Sequence, residues 1–254
     1  MAILAVRELN KHFGGLQAVK DVSFTVTAGS IKALIGPNGA GKTTLFNLIS
    51  GVLSPDSGNI YFGDMQIQGM KPFQIAEKGL ARTFQHIRLF PKMTALENIM
   101  IGRHTHSRAG FVAGMFSLPW TWKEDSQVRS RSREIMDFLG ISGLADSEST
   151  SLAYGQQRTV ELGRALACEP KLLLLDEPAA GLNMKETAEM ADLITKIRDM
   201  GITVLIVEHD MSLVMNISDE VVVLSYGQKI ADDVPLAIQK NAEVIRVYLG
   251  EEDA

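Results

Sequence analysis

Gly36-Pro37-Asn38-Gly39-Ala40-Gly41-Lys42-Thr43 is the stretch on which the reading of this chain turns. It fits the pattern Gly-x4-Gly-Lys-Ser/Thr, follows a β-branched-rich, strand-like stretch at residues 31–35, and precedes a helical stretch from Gly41 to about Ser50 that Gly51 ends. A strand, a glycine loop and a helix N-terminus in that order make a phosphate cradle. The glycines let backbone N–H groups converge on phosphate oxygens, and the helix dipole adds positive potential. On this reading Lys42 reaches the β- and γ-phosphates and the Thr43 hydroxyl ligates Mg²⁺.

The rest of the chain is long enough to surround such a loop with one large α/β domain, or a core with a smaller subdomain. It has 254 residues, of which 46% are hydrophobic and 22% charged. A net charge of −5 without a long Lys/Arg run argues against a nucleic-acid partner. One cysteine, Cys168, excludes an intrachain disulfide framework and fits a reducing compartment. Among Leu166, Ala167 and Glu169 it reads as a small core residue rather than a reactive thiol. The first seven residues predict no signal peptide. No apolar stretch approaches the ~20 residues that cross a bilayer; the longest, residues 109–122, carries two glycines and Pro119. Any membrane role then comes through a partner.

Around the loop, residues 3–9, 22–26 and 31–35 read as short strands, and a turn cluster at residues 54–58 precedes another at 59–62. From Thr94 the pattern turns helical. Thr94 and Glu97 form a capping-box pattern for a helix over 95–100, and further helices are predicted over 126–139 and 156–168. Apolar runs at 172–175 and 202–207 then flank a helix over 187–200. Continuous apolar strands alternating with helices predict a parallel sheet covered on both faces, with the helical block inserted into it. Met211 and Met215, on one further predicted helix, read as core filler.

Residues 172–178, Leu-Leu-Leu-Leu-Asp-Glu-Pro, put two carboxylates at the end of a buried strand, where ligand sites of parallel sheets lie. Asp176 would help to hold Mg²⁺, and Glu177 would polarise the attacking water as general base. The bland alternative is a strand that ends in acidic turn residues. His209 ends the next apolar strand, where it could contact the γ-phosphate or orient Glu177. Gln85 is read as ending a short strand before the helical block, where its amide oxygen could reach Mg²⁺ and the water. Phe13 could stack on adenine or pack in the core. The remaining histidines (His12, His86, His104 and His106) lack metal-ligand spacing.

A second glycine segment, Leu152-Ala153-Tyr154-Gly155-Gln156-Gln157-Arg158, stands just before a helix. With the elements above, it makes the chain resemble ATP-binding-cassette (ABC) ATPases over almost its whole length. The resemblance implies a P-loop NTPase sheet with an N-terminal antiparallel β subdomain and an inserted helical subdomain. Residues 1–90 and 166–254 would form the catalytic core and 91–165 the helical part. It makes residues 36–44, including Thr44, the Walker A loop around ATP, and Phe13 the adenine-stacking aromatic. Gln85 falls at the Q-loop glutamine, residues 172–177 at Walker B, 179–183 at the D-loop and His209 at the switch histidine. Ala153, Tyr154, Gly155 and Gln156 fall in the signature that clamps the ATP of another subunit. Two departures matter. Ala153 and Tyr154 replace the usual serine and first glycine, so the Gly155 N–H and the helix dipole carry more of the γ-phosphate contact. Asn183 replaces the usual aspartate.

Residues 13–16, 82–90, 152–158, 176–183, 208–211 and 244–250 narrow the resemblance to one branch: the larger ATPase subunit of bacterial branched-chain amino acid importers. That branch commonly carries Ala-Tyr-Gly-Gln in its signature. The implied machine is a head-to-tail ATPase dimer with a second, different ATPase subunit, hydrolysing Mg²⁺-ATP on the cytoplasmic face of the plasma (inner) membrane. It would drive transmembrane permease subunits and, through them, serve a periplasmic or extracellular substrate-binding protein. A short permease helix would dock near residues 85–90. Alternatives within the resemblance are a urea or lipid transporter, a degenerate cassette that binds without hydrolysing, and a non-transport ABC ATPase. The last usually has a coiled-coil insertion or tandem cassette, and neither occurs here. Residues 104–133 combine Phe111, Phe116, Trp120 and Trp122 with Arg129, Arg131 and Arg133, and either pack on their own subdomain or meet the membrane subunits or lipid headgroups.

Overall fold

The computed structural model describes residues 1–85, 87–103 and 119–249. His86, His104, His106, Phe111, Phe116 and Gly250 lie outside these, as do the side chains of Trp120 and Trp122, so the proposed membrane contact of residues 104–133 falls largely outside them too.

β1 (Ala2–Phe13), β2 (Leu16–Thr27), β4 (Ser57–Phe62) and β5 (Met65–Gln66) form an antiparallel sheet in the order β2-β1-β4-β5. A second sheet is built from β3 (Ile31–Ile35), β6 (Leu80–Arg82), β7 (Leu172–Asp176), β8 (Thr203–Val207), β9 (Glu220–Ser225) and β10 (Gln228–Asp233). Its order is β10-β9-β3-β8-β7-β6, parallel except for β10. The helices are α1 (Lys42–Ile49), α2 (Pro72–Glu77), α3 (Ala95–Gly102), α4 (Pro119–Phe138), α5 (Tyr154–Leu166), α6 (Met184–Asp199), α7 (Met211–Ile217), α8 (Pro235–Ile238) and α9 (Ala242–Leu249).

Side-chain alternation along the central strands divides two cores. Ile31, Ala33, Leu173, Leu175, Val204 and Ile206 face a core shared with Leu96, Ile99, Met136, Val160 and Ile194 of the helices. Leu34, Leu172, Leu174, Leu205 and Val207 face another, filled by Leu45 and Phe46 of α1 and by Val6, Phe24 and Ile60 of the antiparallel sheet. Every residue of β3, β7 and β8 is buried. Each Leu, Ile or Val so buried contributes about 1.5–3 kcal/mol relative to exposure, and the lysine among them, Lys32, is paired with Glu220 and Asp232. Both faces of the parallel sheet are covered, one by helices and the other by α1 and the antiparallel sheet.

The predicted elements are present, with shifted ends. β1 and β2 outrun their predicted spans because they pair with each other along their length, through bulges. Thr94 Oγ1 accepts from Glu97 N at 3.2 Å while Glu97 Oε2 accepts from Thr94 N at 2.8 Å, so α3 starts as its capping box predicts. α6 starts earlier than predicted because the Asn183 side chain accepts from Lys185 N and Glu186 N, both at 3.0 Å. Gln85 does not end a strand: β6 stops at Arg82, and Gln85 lies three residues on in irregular backbone. The sequence reading assigns no element beyond the α7 helix, where the structure continues with the β9–β10 hairpin, α8 and α9. Met211, Met215 and Cys168 pack partly buried against the helical core, whereas Met184 is 91% exposed.

Candidate functional site

β3 ends at Ile35 and α1 begins at Lys42, so the glycine loop closes the C-terminal end of a central strand. Two of its glycines are dictated by close backbone approach as well as by φ. A Cβ on Gly36 (φ 151°) would lie 2.2 Å from the Leu224 carbonyl oxygen, and one on Gly41 (φ 101°) 2.4 Å from that of Ala18. The hairpin tip holds the loop from outside, with Gly227 N donating to Ala40 O at 3.0 Å. Gly41 provides no side-chain cap for α1, so the first N–H groups of the helix keep their donor capacity for an anion. Lys42 is buried, and its Nζ donates to the carbonyls of Gly36 at 2.6 Å and Pro37 at 3.0 Å. Burial pushes Lys42 below the ordinary lysine range, while the charges of Glu177 and Asp176 act against that shift.

The two carboxylates at the end of β7 have different surroundings. Asp176 is buried and paired with Arg82 Nη2 at 2.8 Å. Arg82 also donates to Asn47 Oδ1 at 2.7 Å and Ser50 Oγ at 2.8 Å, tying the strand end to α1. Glu177 has φ 49°, in the left-handed region. Its N–H donates to Val207 O at 2.9 Å, and Ala180 N donates to its carbonyl at 3.1 Å. Gln85 Nε2 donates to Glu177 Oε2 at 3.1 Å, and His209 Nδ1 lies 3.9 Å from the same oxygen. Two segments remote in sequence thus converge on one carboxylate.

Sequence reasoning missed Glu208. Its carboxylate is fully buried: Oε1 accepts from Ala179 N at 2.9 Å, and Oε2 from His209 N at 3.0 Å and Asp210 N at 3.5 Å. Burial raises its proton affinity against these N–H groups. Glu208 therefore fastens the loop after β7 to the loop that presents His209. The only trace in the sequence is an acid directly after an apolar strand. Arg158, also missed, is buried, and its Nη2 donates to Gln85 O at 2.7 Å.

Ala153, Tyr154, Gly155 and Gln156 form the start of α5. Gln156 Oε1 accepts from Ala153 N at 3.0 Å, and Tyr154 Oη accepts from Arg158 Nη2 at 2.9 Å. The Tyr154 ring lies against Gly181, where an added Cβ would come within 2.9 Å of Tyr154 Cε1. Among the described residues, no hydrogen bond or ion pair joins residues 153–156 to residues 36–44. Phe13 ends β1 with 46% exposure, so it is not a core residue, and Lys11 Nζ stands 5.6 Å from its ring centroid. Its position leaves the ring available for stacking.

The donor set fits Mg²⁺ bound with a nucleotide. Among the described residues no three His, Cys, Asp or Glu side chains converge on a metal position. A Thr43 hydroxyl and an Asp176 carboxylate, with phosphate and water oxygens, make the sparse oxygen set that Mg²⁺ takes.

A family model described as ABC transporter matches residues 19–180. A second, described as branched-chain amino acid ATP-binding cassette transporter, matches residues 228–254. The high-affinity branched-chain amino acid transport ATP-binding protein BraF of Pseudomonas aeruginosa is 44% identical over 250 residues, covering 98% of this chain and 98% of that protein. Its counterpart LivG of Escherichia coli is 42% identical over 250 residues, with the same coverage. The probable LivG of Methanocaldococcus jannaschii is 35% identical over 255 residues, covering 99% of this chain and 98% of that protein. Among solved structures, a nucleotide-free ATP-binding cassette from an ABC transporter superposes with a TM-score of 0.86 at 34% identity, covering 99% of this chain and 100% of that one. The ADP conformation of an ATP-binding cassette of an ABC transporter gives the same score, identity and coverage.

Proposed function

Since the chain belongs to the ATP-binding-cassette transporter family, we propose that it is the ATP-hydrolysing subunit of an importer of branched-chain amino acids. The observation that carries the catalytic part is the convergence of Gln85 and His209 on Glu177 beside the glycine loop. The substrate rests on the relatives' names and on the second family match over the C-terminal segment.

In this reading residues 36–44 hold the phosphates, Phe13 stacks on adenine, and Thr43, Asp176 and Gln85 hold Mg²⁺. When bound, Mg²⁺ neutralises charge on the β- and γ-phosphates. Lys42 moves from its loop carbonyls to the phosphates. Glu177 orients the attacking water and accepts its proton. His209 and Gln85 fix the direction of that carboxylate from either side. Residues 153–156 face another subunit's nucleotide, so a head-to-tail dimer completes each site and the isolated chain is a weak ATPase. We take 1–90 and 166–254 as the catalytic core and 91–165 as the part that moves against it. An apolar groove of about 490 Å³, lined by Val52, Phe73, Phe84, Phe90 and Ile101, suits a short permease helix. That contact would hold the subunit to the inner face of a membrane.

The Glu177→Gln variant tests the assignment. It keeps the shape and loses the base, so hydrolysis should fall at least about 100-fold while ATP stays bound and the dimer closed. Hydrolysis at the parent rate would remove Glu177 from the role. Uptake by vesicles carrying the assembled transporter then tests the substrate, with urea or a lipid as the competing cargo.

A further inference from the structure

Residues 83–85 and 87–90, between β6 and α3, form neither helix nor strand. Thr83 N still donates to Leu174 O and Phe90 pairs with Asn98, but the carbonyls of Phe84, Gln85 and Arg88 face α5 and find their partners there. Three charged side chains of α5, spaced three residues apart and so along one side of the helix, meet them. Arg158 donates from Nη1 to Phe84 O at 3.1 Å and from Nη2 to Gln85 O at 2.7 Å. Arg164 donates from Nη1 to Arg88 O. Glu161 stands between them, with Oε2 3.7 Å from Arg158 Nη1 and Oε1 3.6 Å from Arg164 Nη2, and the N–H groups of Arg88 and Phe84 approach it. The side chains of Arg158 and Glu161 are 3% and 2% exposed. Charges buried this deeply need opposite charge close by, and the two ion pairs join the three side chains in one chain of contacts.

We propose that Arg158, Glu161 and Arg164 are positioning residues that bind the Gln85 segment to the signature-bearing helix as one rigid body, and that Arg158 acts on catalysis through Gln85. The carbonyl that Arg158 holds belongs to the residue whose amide meets Glu177. The same guanidinium holds the Tyr154 hydroxyl in the signature. Phe84, Arg88, Phe90, Glu161 and Arg164 also line the apolar groove. This role of Arg158 rests on the ATPase reading above.

The test is a double-mutant cycle on the full chain, assembled with its permease in vesicles and read as ATP hydrolysis. Gln85→Ala and Arg158→Met should each lower kcat about tenfold, within the range of coupling through contiguous networks, with KM for ATP nearly unchanged. The double variant should be no slower than Gln85→Ala alone, because both changes remove the same contribution. Arg158→Lys, which keeps the charge but not the two-carbonyl fork, should fall between parent and Arg158→Met. Losses that multiply, or a rise in KM in place of the fall in kcat, would overturn the proposal and leave the ATPase reading standing. A parent that hydrolyses no ATP, or a Gln85→Ala variant as fast as the parent, would overturn that reading and the proposal with it. If Arg158→Met does not fold, Glu161→Gln against Gln85→Ala makes the same comparison with the side-chain shape preserved.

Discussion

Glu208 ties together the loops that present Ala179 and His209, because both of its oxygens are used. An amide offers one accepting oxygen and presents N–H groups on its other side. Glu208→Gln would leave a buried backbone N–H unpaired, a loss of about 1–3 kcal/mol. Urea unfolding should show that loss, together with slower ATP hydrolysis; an unchanged midpoint would mean the loops hold without it. Asp56 makes a pH-dependent contribution. Lys11 Nζ and His12 N donate to its carboxylate and hold its pKa at about 2, against an ordinary 3.8. A depressed carboxyl stabilises the fold above its unfolded pKa and loses that contribution as pH falls through the folded one. The parent should therefore lose stability more steeply than Asp56→Asn between about pH 4 and 2, and added salt should shrink the difference. Lys42 was legible from the spacing of the glycine loop, and Glu177 and His209 because each directly or closely follows an apolar strand. Glu208, Arg82 and Arg158 were not, since their partners are mostly backbone atoms or side chains from segments far away in the chain, which leave no local mark.

At the scale of elements, β7 and β8 were legible because burial on both faces leaves a nearly continuous apolar run, and β3 because it leads directly into the glycine loop. α3 was legible from its capping box. β5 and β6 are two and three residues long, too short for any periodicity, and α2 has a single buried residue, Ile75. The irregular segment around Gln85 could not be placed from sequence, because α5 side chains hold it and no pattern of its own does. The glycine loop allows a graded test. Gly41→Ala brings a Cβ against a backbone oxygen that cannot rotate away. It should destabilise by about 1–3 kcal/mol and abolish binding of a fluorescent nucleotide. Gly39 also has positive φ (81°), but an added Cβ there meets nothing within 4 Å. Gly39→Ala should therefore lose only about 1–2 kcal/mol from the left-handed backbone and keep measurable binding. Equal loss of binding in both variants would show that conformation, and not close approach, governs the loop.

For the molecule as a whole, the second subunit is implied by the resemblance of residues 152–158 to a signature segment, whereas the two-core arrangement was only partly legible. The helices after Thr94 read in the sequence as a block inserted into the sheet, and Leu96, Ile99, Met136 and Val160 share a continuous apolar core with one face of the parallel sheet. Any movement of that block would slide along a packed seam, which favours two discrete positions over a continuum. The backbone of Glu177 has a different molecule-wide effect. Its φ of 49° is one that a side chain normally avoids, and the strand-end hydrogen bonds hold it there. In most positions alanine makes a more stable protein than glycine. Here the order should invert, with Glu177→Gly unfolding at higher denaturant than Glu177→Ala by about 1 kcal/mol. The opposite order would show a relaxed backbone. If the inversion holds, aiming the carboxylate sets a ceiling on thermal tolerance: variants selected for heat resistance alone should drift towards glycine at this position and stop turning over.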